Sequence, residues 1–312
     1  MNIGILGLSL AIDLDRKEKM HTAIKHLQEL GHNVLVGDTC FSKFGFKTAS
    51  IEERVSELES MFLNSKIDII LNTCGGYSSN EMLEFINYDI IKRHPKKFVG
   101  YSDITAINLG LYHKANIPTI NGPMLGSFES DPNCFVRFFE QISLESYVYR
   151  NWETTYSGRT KEDITTGPIR MLPNKKEATD GKAVAGNQST FNLLIGTPYL
   201  PDLTDSILFI EYDIVEIRGL PTLERFLWQA RHAGVFDKIS ALVLGRLEPR
   251  VEREQTEYNV TLESILEEVT QGFLFPVLYN AQFGHIHPSW IIENGMSITI
   301  DGTNIVAQRK EE

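Results

Sequence analysis

The sequence predicts an α/β protein: a parallel-sheet α/β domain at the N-terminus, joined to a smaller β-rich C-terminal domain. Three observations carry this. In the first half, short continuous apolar runs alternate with stretches of helical periodicity, the pattern of parallel strands covered on both faces. Two consecutive runs end in small and polar residues, "CGGYSS" and "GYSD". Ligands in open α/β sheets bind outside such strand ends. In the second half short strands predominate and helices interrupt them.

"NIGILGL" reads as the first strand. Residues 16–31 carry apolar residues at helical spacing and stop at Gly31. "HNVLVG" is a second strand, "SIEERVSELESMFLNS" a second helix and "IDIILN" a third strand that runs into "TCGGYSSN". "EMLEFINYDIIKRH" reads as helical up to Pro95. A strand at Phe98 and Val99, a corner at Gly100 and Tyr101, a helix and "IPTIN" follow. Residues 151–182 are polar and punctuated by Gly and Pro, as in a linker or loop excursion. Beyond them "ILFIEYD", "SALVLGRL", "FPVLYNAQF", "MSITID" and "NIVAQR" read as strands, with helices at 190–195, 221–233 and 260–271. The expected organisation is an α/β domain at 1–150, a linker or variable loop at 151–180 and a β-rich domain at 181–312.

Composition narrows the function. Apolar residues make up 42% and charged residues 23% of the 312, ordinary for a globular protein. The net charge of −11, without a Lys/Arg cluster, argues against a nucleic-acid polymer or an anionic membrane as partner. No apolar stretch approaches the ~20 residues of a membrane span. The N-terminus lacks the basic start and cleavage site of a signal peptide. Three scattered cysteines, with no C-x-x-C, indicate neither a disulfide framework nor a zinc knuckle and fit a reducing, cytoplasmic setting.

Ser102 is the candidate for covalent chemistry. A serine on a sharp strand-to-helix corner is lifted off the sheet, and the N–H of Asp103 lies at a helix N-terminus that favours a developing negative charge. The "CGGY" loop suits a second N–H, because glycines let a backbone approach a reacting carbonyl closely. The rival reading is a helix cap, a role that both Ser and Asp fill well. A serine nucleophile needs a base, and "QFGHIHPSW" holds two histidines in a glycine-led loop after an apolar strand. His285 is the better placed, with His287 a helper or a bystander. H-x-H as a metal site needs further ligands, and no third His or Cys lies nearby. The orienting carboxylate is Glu211, at the end of "SILFIE", with Asp213 as neighbour and competitor.

These residues resemble the LD-carboxypeptidase family of serine peptidases. "GGYSSNEMLEFINYDIIKRHPKKFVGYSDITAINLGLYHKANIPTINGPML" looks like its nucleophile region. "GNQSTFNLLIGTPYLPDL", "ILFIEYD", "GVFDKISALVLGRLE" and "FGHIHP" match its later motifs in order. The wording of "INYD", "GVFDK" and "HIHP" is nearer the microcin C self-immunity branch than the murein tetrapeptide branch.

The resemblance implies a Ser–Glu–His triad that cleaves amides without metal or cofactor: Ser102 as nucleophile, Glu211 as orienting acid and His285 as base. Gly76 and Asp103 match the positions that supply oxyanion N–H groups. Asn187 matches a substrate-contacting asparagine, though it equally suits the cap of the helix that follows it. Trp152 and Tyr156 are the aromatic residues available in the variable loop to stack on a nucleotide base. Val215 stands where the immunity branch carries a substrate-holding lysine. The implied substrate is a small peptide or a peptidyl- or aminoacyl-nucleotide such as microcin C, and the implied assembly a homodimer. Two other readings are a murein L,D-tetrapeptide carboxypeptidase and a non-catalytic small-molecule binding protein on the same scaffold.

Overall fold

The computed structural model describes residues 1–157, 163–164 (backbone only), 167–212 and 219–309. Internal contacts divide the chain into two units, Met1–Ile142 with Pro198–Pro201, and Ser143–Thr197 with Asp202–Glu312.

The first unit alternates β1 (Asn2–Leu6), α1 (Leu14–Glu29), β2 (Asn33–Val36), α2 (Ile51–Leu63), β3 (Ile69–Asn72), α3 (Tyr88–Arg93), β4 (Lys97–Gly100), α4 (Thr105–Ala115) and β5 (Thr119–Asn121), then closes with α5 (Ser127–Ser130) and α6 (Cys134–Ile142). Its strands lie in the order β5-β4-β3-β1-β2, each pair parallel. Sequence chemistry sets the helix ends. Asp13 caps α1 through Arg16 N–H, and Ser50 with Glu53 forms a reciprocal capping box on α2. Asn116, in the left-handed conformation, ends α4. Because β1, β3 and β4 are parallel neighbours, the loops after them converge on one edge of the sheet.

Helix α4 docks the corner it follows. Ile104, Ile107, Leu109 and Leu111 are all buried. Burial of each such side chain contributes about 1.5–3 kcal/mol relative to exposure. A methyl group on Gly100 would lie 2.5 Å from Ile104 Cγ2, so the strand end accepts the helix this closely only as glycine.

The second unit contains β6 (Ser146–Tyr149), β7 (Thr155–Ser157), β8 (Asp163–Ile164), β9 (Arg170–Met171), β10 (Ala178–Asn187), α7 (Gln188–Leu194), β11 (Ser206–Glu211), α8 (Gly219–His232), β12 (Ala241–Gly245), α9 (Pro249–Tyr258), α10 (Leu262–Val269), β13 (Val277–Ala281), β14 (Ile286–His287), β15 (Ile292–Glu293), β16 (Ser297–Asp301) and β17 (Asn304–Gln308). Its main sheet runs β6-β17-β16-β10-β11-β12-β13-β9. Strands β10 to β13 are parallel, and antiparallel strands flank them. The apolar core includes Phe209, Val243, Leu278, Phe283 and Trp290. A separate small sheet, β14-β7-β8, joins the histidine loop to the segment expected to be variable.

Three local expectations differ from the structure. The helix expected across 81–94 is a 3-10 turn, Ser79–Met82, followed by a break and the short α3. Asn87 divides them: its side chain accepts from Ile90 N–H and starts a new helix. Helix α9 was not expected, because "PRVEREQTEY" buries only Val251 and Glu254 and carries no apolar stripe. Strand β10 opens with the polar "ATDGK", which reads as loop; in the structure that half pairs with β16 and the buried half, "AVAGN", pairs with β11.

Candidate active site

In the first unit the chain turns sharply at Ser102, which has φ 60°. A left-handed backbone at a residue other than glycine is costly and persists only where its surroundings enforce it. The carbonyls just before the corner are clamped: Asn72 Nδ2 donates to Val99 O at 2.9 Å and Asn108 Nδ2 to Gly100 O at 2.7 Å. The capping alternative does not describe this corner. The 3-10 turn Ser102–Ile104 and α4 begin at Tyr101 and Ile104, with no side-chain cap bond at either residue. The Asp103 carboxylate turns away from its own helix and accepts from Ser9 Oγ, Ser78 N–H and Ser79 N–H at 2.6, 3.0 and 2.9 Å.

The glycine loop lies against the serine. A methyl group on Gly75 would sit 2.9 Å from both Cβ and Oγ of Ser102, and one on Gly76 would sit 2.3 Å from Ser9 Oγ. Both positions require glycine. Behind the loop, the fully buried Arg54 donates from Nη1 to Leu8 O and Ser78 O at 2.9 and 3.0 Å, and from Nη2 to Glu81 at 2.9 Å. Burial raises the pKa of Glu81, but Lys47 and Arg54 together outweigh it and hold the carboxyl below its ordinary range. Cys74, beside the glycine pair, has its thiol pushed up by burial, which disfavours the nucleophilic thiolate.

In the second unit Glu211 ends β11, fully buried. Its Oε2 lies 2.8 Å from His285 Nδ1. Asn187, its register partner on β10, donates from Nδ2 to Glu211 Oε1 at 2.8 Å. The amide orientation is fixed independently, since Asn187 Oδ1 accepts from Ser189 and Thr190 N–H at the start of α7. Asn187 is therefore a helix cap and a carboxylate donor at once. A carboxylate only accepts, so His285 donates from Nδ1, and in the neutral ring Nε2 is the acceptor nitrogen.

Two glycines let the histidine loop reach Glu211 over the end of β12. A methyl group on Gly245 would meet Phe283 O at 2.8 Å and Glu211 Cα at 3.3 Å. One on Gly284, at φ +109°, would meet Glu211 Cβ at 2.7 Å and Oε2 at 2.9 Å. Gly284 N–H donates to Ser289 Oγ at 3.1 Å and secures the far side of the loop.

His287 is placed differently from His285. Its backbone pairs with Tyr156, its ring centroid is 5.9 Å from that of Tyr156, and its carbonyl accepts from Thr155 Oγ1 at 2.8 Å. Trp152 packs on the core and lines an open cleft of about 500 Å³ with Arg150, Glu153, Pro168 and Asn304. None of Asn187, Glu211 or His285 lines that cleft. Asp213 and Val215 lie outside the described residues. Among the described residues no three His, Cys, Asp or Glu gather as a metal site, and no helix is long and apolar enough to cross a membrane. Sequence reasoning missed Ser9 and Arg54. Ser9 had one available signal, its position just past the carboxyl end of the first strand.

Residues 3–122 match the LD-carboxypeptidase N-terminal domain and residues 180–300 the LD-carboxypeptidase C-terminal domain. The chain belongs to the LD-carboxypeptidase family and is a serine-peptidase-type hydrolase. It is 28% identical to the microcin C7 self-immunity protein MccF of Escherichia coli, across 97% of this chain and 91% of that one. It is also 28% identical to a probable murein peptide carboxypeptidase of Bacillus subtilis, across 89% and 82% of the two. Among solved structures, an MccF-like protein from Bacillus anthracis superposes with a TM-score of 0.89 at 28% identity, covering 99% of this chain and 97% of that one. MccF in complex with aspartyl sulfamoyl adenosine superposes with a TM-score of 0.86 at 26% identity, covering 99% and 96%.

Proposed function

We propose that this chain is an amidase acting through Ser102, His285 and Glu211 on a small aminoacyl- or peptidyl-nucleotide. The observation that carries the reading is the buried Asn187–Glu211–His285 relay. It presents one imidazole in the tautomer a general base requires. Ser102 Oγ attacks the amide carbonyl and His285 Nε2 takes its proton. The N–H groups of Gly76 and Asp103 hold the oxyanion. The imidazolium, stabilised by Glu211, then protonates the leaving nitrogen, and water releases the acyl group with His285 again as base.

The substrate class rests on likeness to MccF, which has been solved with aspartyl sulfamoyl adenosine and with glutamyl sulfamoyl guanosine. Tyr156 is the base-stacking candidate that adjoins the histidine loop, through its pairing with His287. Trp152, in its own cleft, is the second. The residues around them at 151–180 serve as the variable substrate segment. A cytoplasmic homodimer accompanies this reading, and light scattering measures the assembly.

A murein L,D-tetrapeptide is the second substrate, favoured by the equal identity to the Bacillus subtilis murein peptide carboxypeptidase. Parallel assays with aspartyl sulfamoyl adenosine and with a murein tetrapeptide separate the two. The expected result is cleavage of the sulfamoyl substrate with kcat/KM at least tenfold above that for the tetrapeptide. The reverse ratio assigns the chain to murein peptides. Binding of both compounds with cleavage of neither contradicts the amidase reading.

A further inference from the structure

We propose that the carboxylate of Asp103 and the hydroxyl of Ser9 are positioning groups for the oxyanion-binding amides. This goes beyond the proposed triad and rests on it. The two candidate amides come from different loops, Gly76 after β3 and Asp103 after β4. An oxyanion hole functions only if both N–H groups are held toward one point before the charge develops. Something must therefore fix one loop against the other, and the side chain of Asp103 is placed to do so.

Asp103 Oδ2 accepts from Ser78 N–H, Ser79 N–H and Ser9 Oγ at 3.0, 2.9 and 2.6 Å. Ser79 Oγ donates in return to Asp103 O at 2.6 Å. Ser9 Oγ accepts from Tyr77 N–H at 3.0 Å. Three successive amides of the glycine loop thus end on this carboxylate and this hydroxyl. Leu10 N–H donates to Gly75 O at 3.3 Å, which pins the plane of the Gly75–Gly76 peptide. In a planar trans peptide the N–H points opposite to the C=O. The N–H of Gly76 is therefore directed away from Leu10, while Gly75 presses on Ser102.

Asp103 and Ser9 are 3% and 1% exposed, so neither side chain is presented to a substrate. A carboxylate beside a developing oxyanion is electrostatically unfavourable. Its presence there is explained by geometry: hydrogen bonds to an ionised acceptor are about twice as strong as neutral ones, and one carboxylate oxygen gathers three donors. A single residue then supplies one oxyanion amide from its backbone and anchors the loop that supplies the other.

Phosphonylation of the full chain by a fluorophosphonate tests this without a known substrate. Ser102 Oγ bonds to phosphorus, fluoride leaves, His285 takes the hydroxyl proton, and the phosphonyl oxygen occupies the oxyanion position. The maximal labelling rate and the apparent affinity are measured separately for the unaltered chain, Ser9→Ala and Asp103→Asn, with Ser102→Ala as blank. The expected result is a maximal rate lower by about tenfold in Ser9→Ala and about a hundredfold in Asp103→Asn, the scale of a misplaced catalytic group, with affinity held within about twofold. A folded Ser9→Ala that labels at the unaltered rate overturns the inference, as does a loss confined to affinity. Loss of the folded state in both variants, read by circular dichroism, assigns the pair to stability alone and also overturns it. Failure of the unaltered chain to label at Ser102 overturns instead the nucleophile assignment on which the inference rests.

Discussion

Glu211 Oε2 and His285 Nδ1 lie 2.8 Å apart, with the glutamate fully buried at the end of its strand. The contact joins residues 74 apart in sequence, and glycines at 245 and 284 make it sterically possible. Glu211→Gln keeps the volume but offers Nδ1 a mixed acceptor and donor, so the imidazole loses its enforced tautomer. The expected cost is on the order of 10³–10⁴ in kcat, with KM little changed. Steady-state kinetics on aspartyl sulfamoyl adenosine measure it, and a loss under tenfold would detach Glu211 from the reaction.

Asn187 separates into two functions by substitution. Asn187→Ser keeps a cap for α7 and loses the donor to Glu211. Asn187→Asp also keeps the cap but sets a second carboxylate against Glu211. Loss of the cap alone costs about 1 kcal/mol of stability. Thermal unfolding and kcat together are expected to rank unaltered chain, Asn187→Ser, then Asn187→Asp in falling order. An Asn187→Asp variant as active as the unaltered chain would reduce Asn187 to a cap.

Gly284→Ala forces a side chain onto the Glu211 carboxylate at a backbone angle that L-residues avoid. The substitution is expected to lower stability by about 1–3 kcal/mol, the scale of a strained backbone position, and to lower kcat further by displacing Glu211. Gly272→Ala is the control: Gly272 also has positive φ, but a methyl group there meets nothing within 4 Å. It is expected to lower stability without changing kcat, which separates backbone strain from the clash with Glu211.

How much of this was legible in the sequence follows from the range of each interaction. The strands and helices around Ser102 were legible because continuous apolar runs and caps are local signals. The strand-end positions of Glu211 and the glycine-led loop of His285 were legible for the same reason, but their hydrogen bond was not. It depends on β10, β11 and β12 being parallel neighbours and on Gly245 clearing a path over β12. Strand β10 read as polar loop, which hid the pairing of Asn187 with Glu211 and left its cap as the visible role. Arg54 was illegible and Ser9 offered only its place past β1, because their partners, Glu81 for Arg54 and Asp103 for Ser9, lie 27 and 94 residues away.

Arg54 and Glu81 couple the glycine loop to pH. The folded pKa of Glu81 is depressed, so its contribution is present above the ordinary carboxylate pKa of about 4.5 and is lost as pH falls through the lower folded value. Thermal midpoints are expected to drop below pH 4.5, and Glu81→Gln to drop less steeply there. Arg54→Met, which strands the buried carbonyls of Leu8 and Ser78 while Glu81 keeps Lys47, is expected to cost about 1–3 kcal/mol at pH 7 by chemical denaturation. A midpoint for Arg54→Met equal to that of the unaltered chain would contradict this role for the guanidinium.

The central claim, that Ser102 and His285 act as one unit on an amide, is tested most directly by kcat for Ser102→Ala, His285→Ala and the double variant on aspartyl sulfamoyl adenosine. Nucleophile and base that share a single step are not additive. The account predicts that each single variant loses on the order of 10⁴ or more and that the double variant is no slower than either. Losses that multiply in the double variant, or turnover within tenfold of the unaltered chain in either single variant, would contradict it.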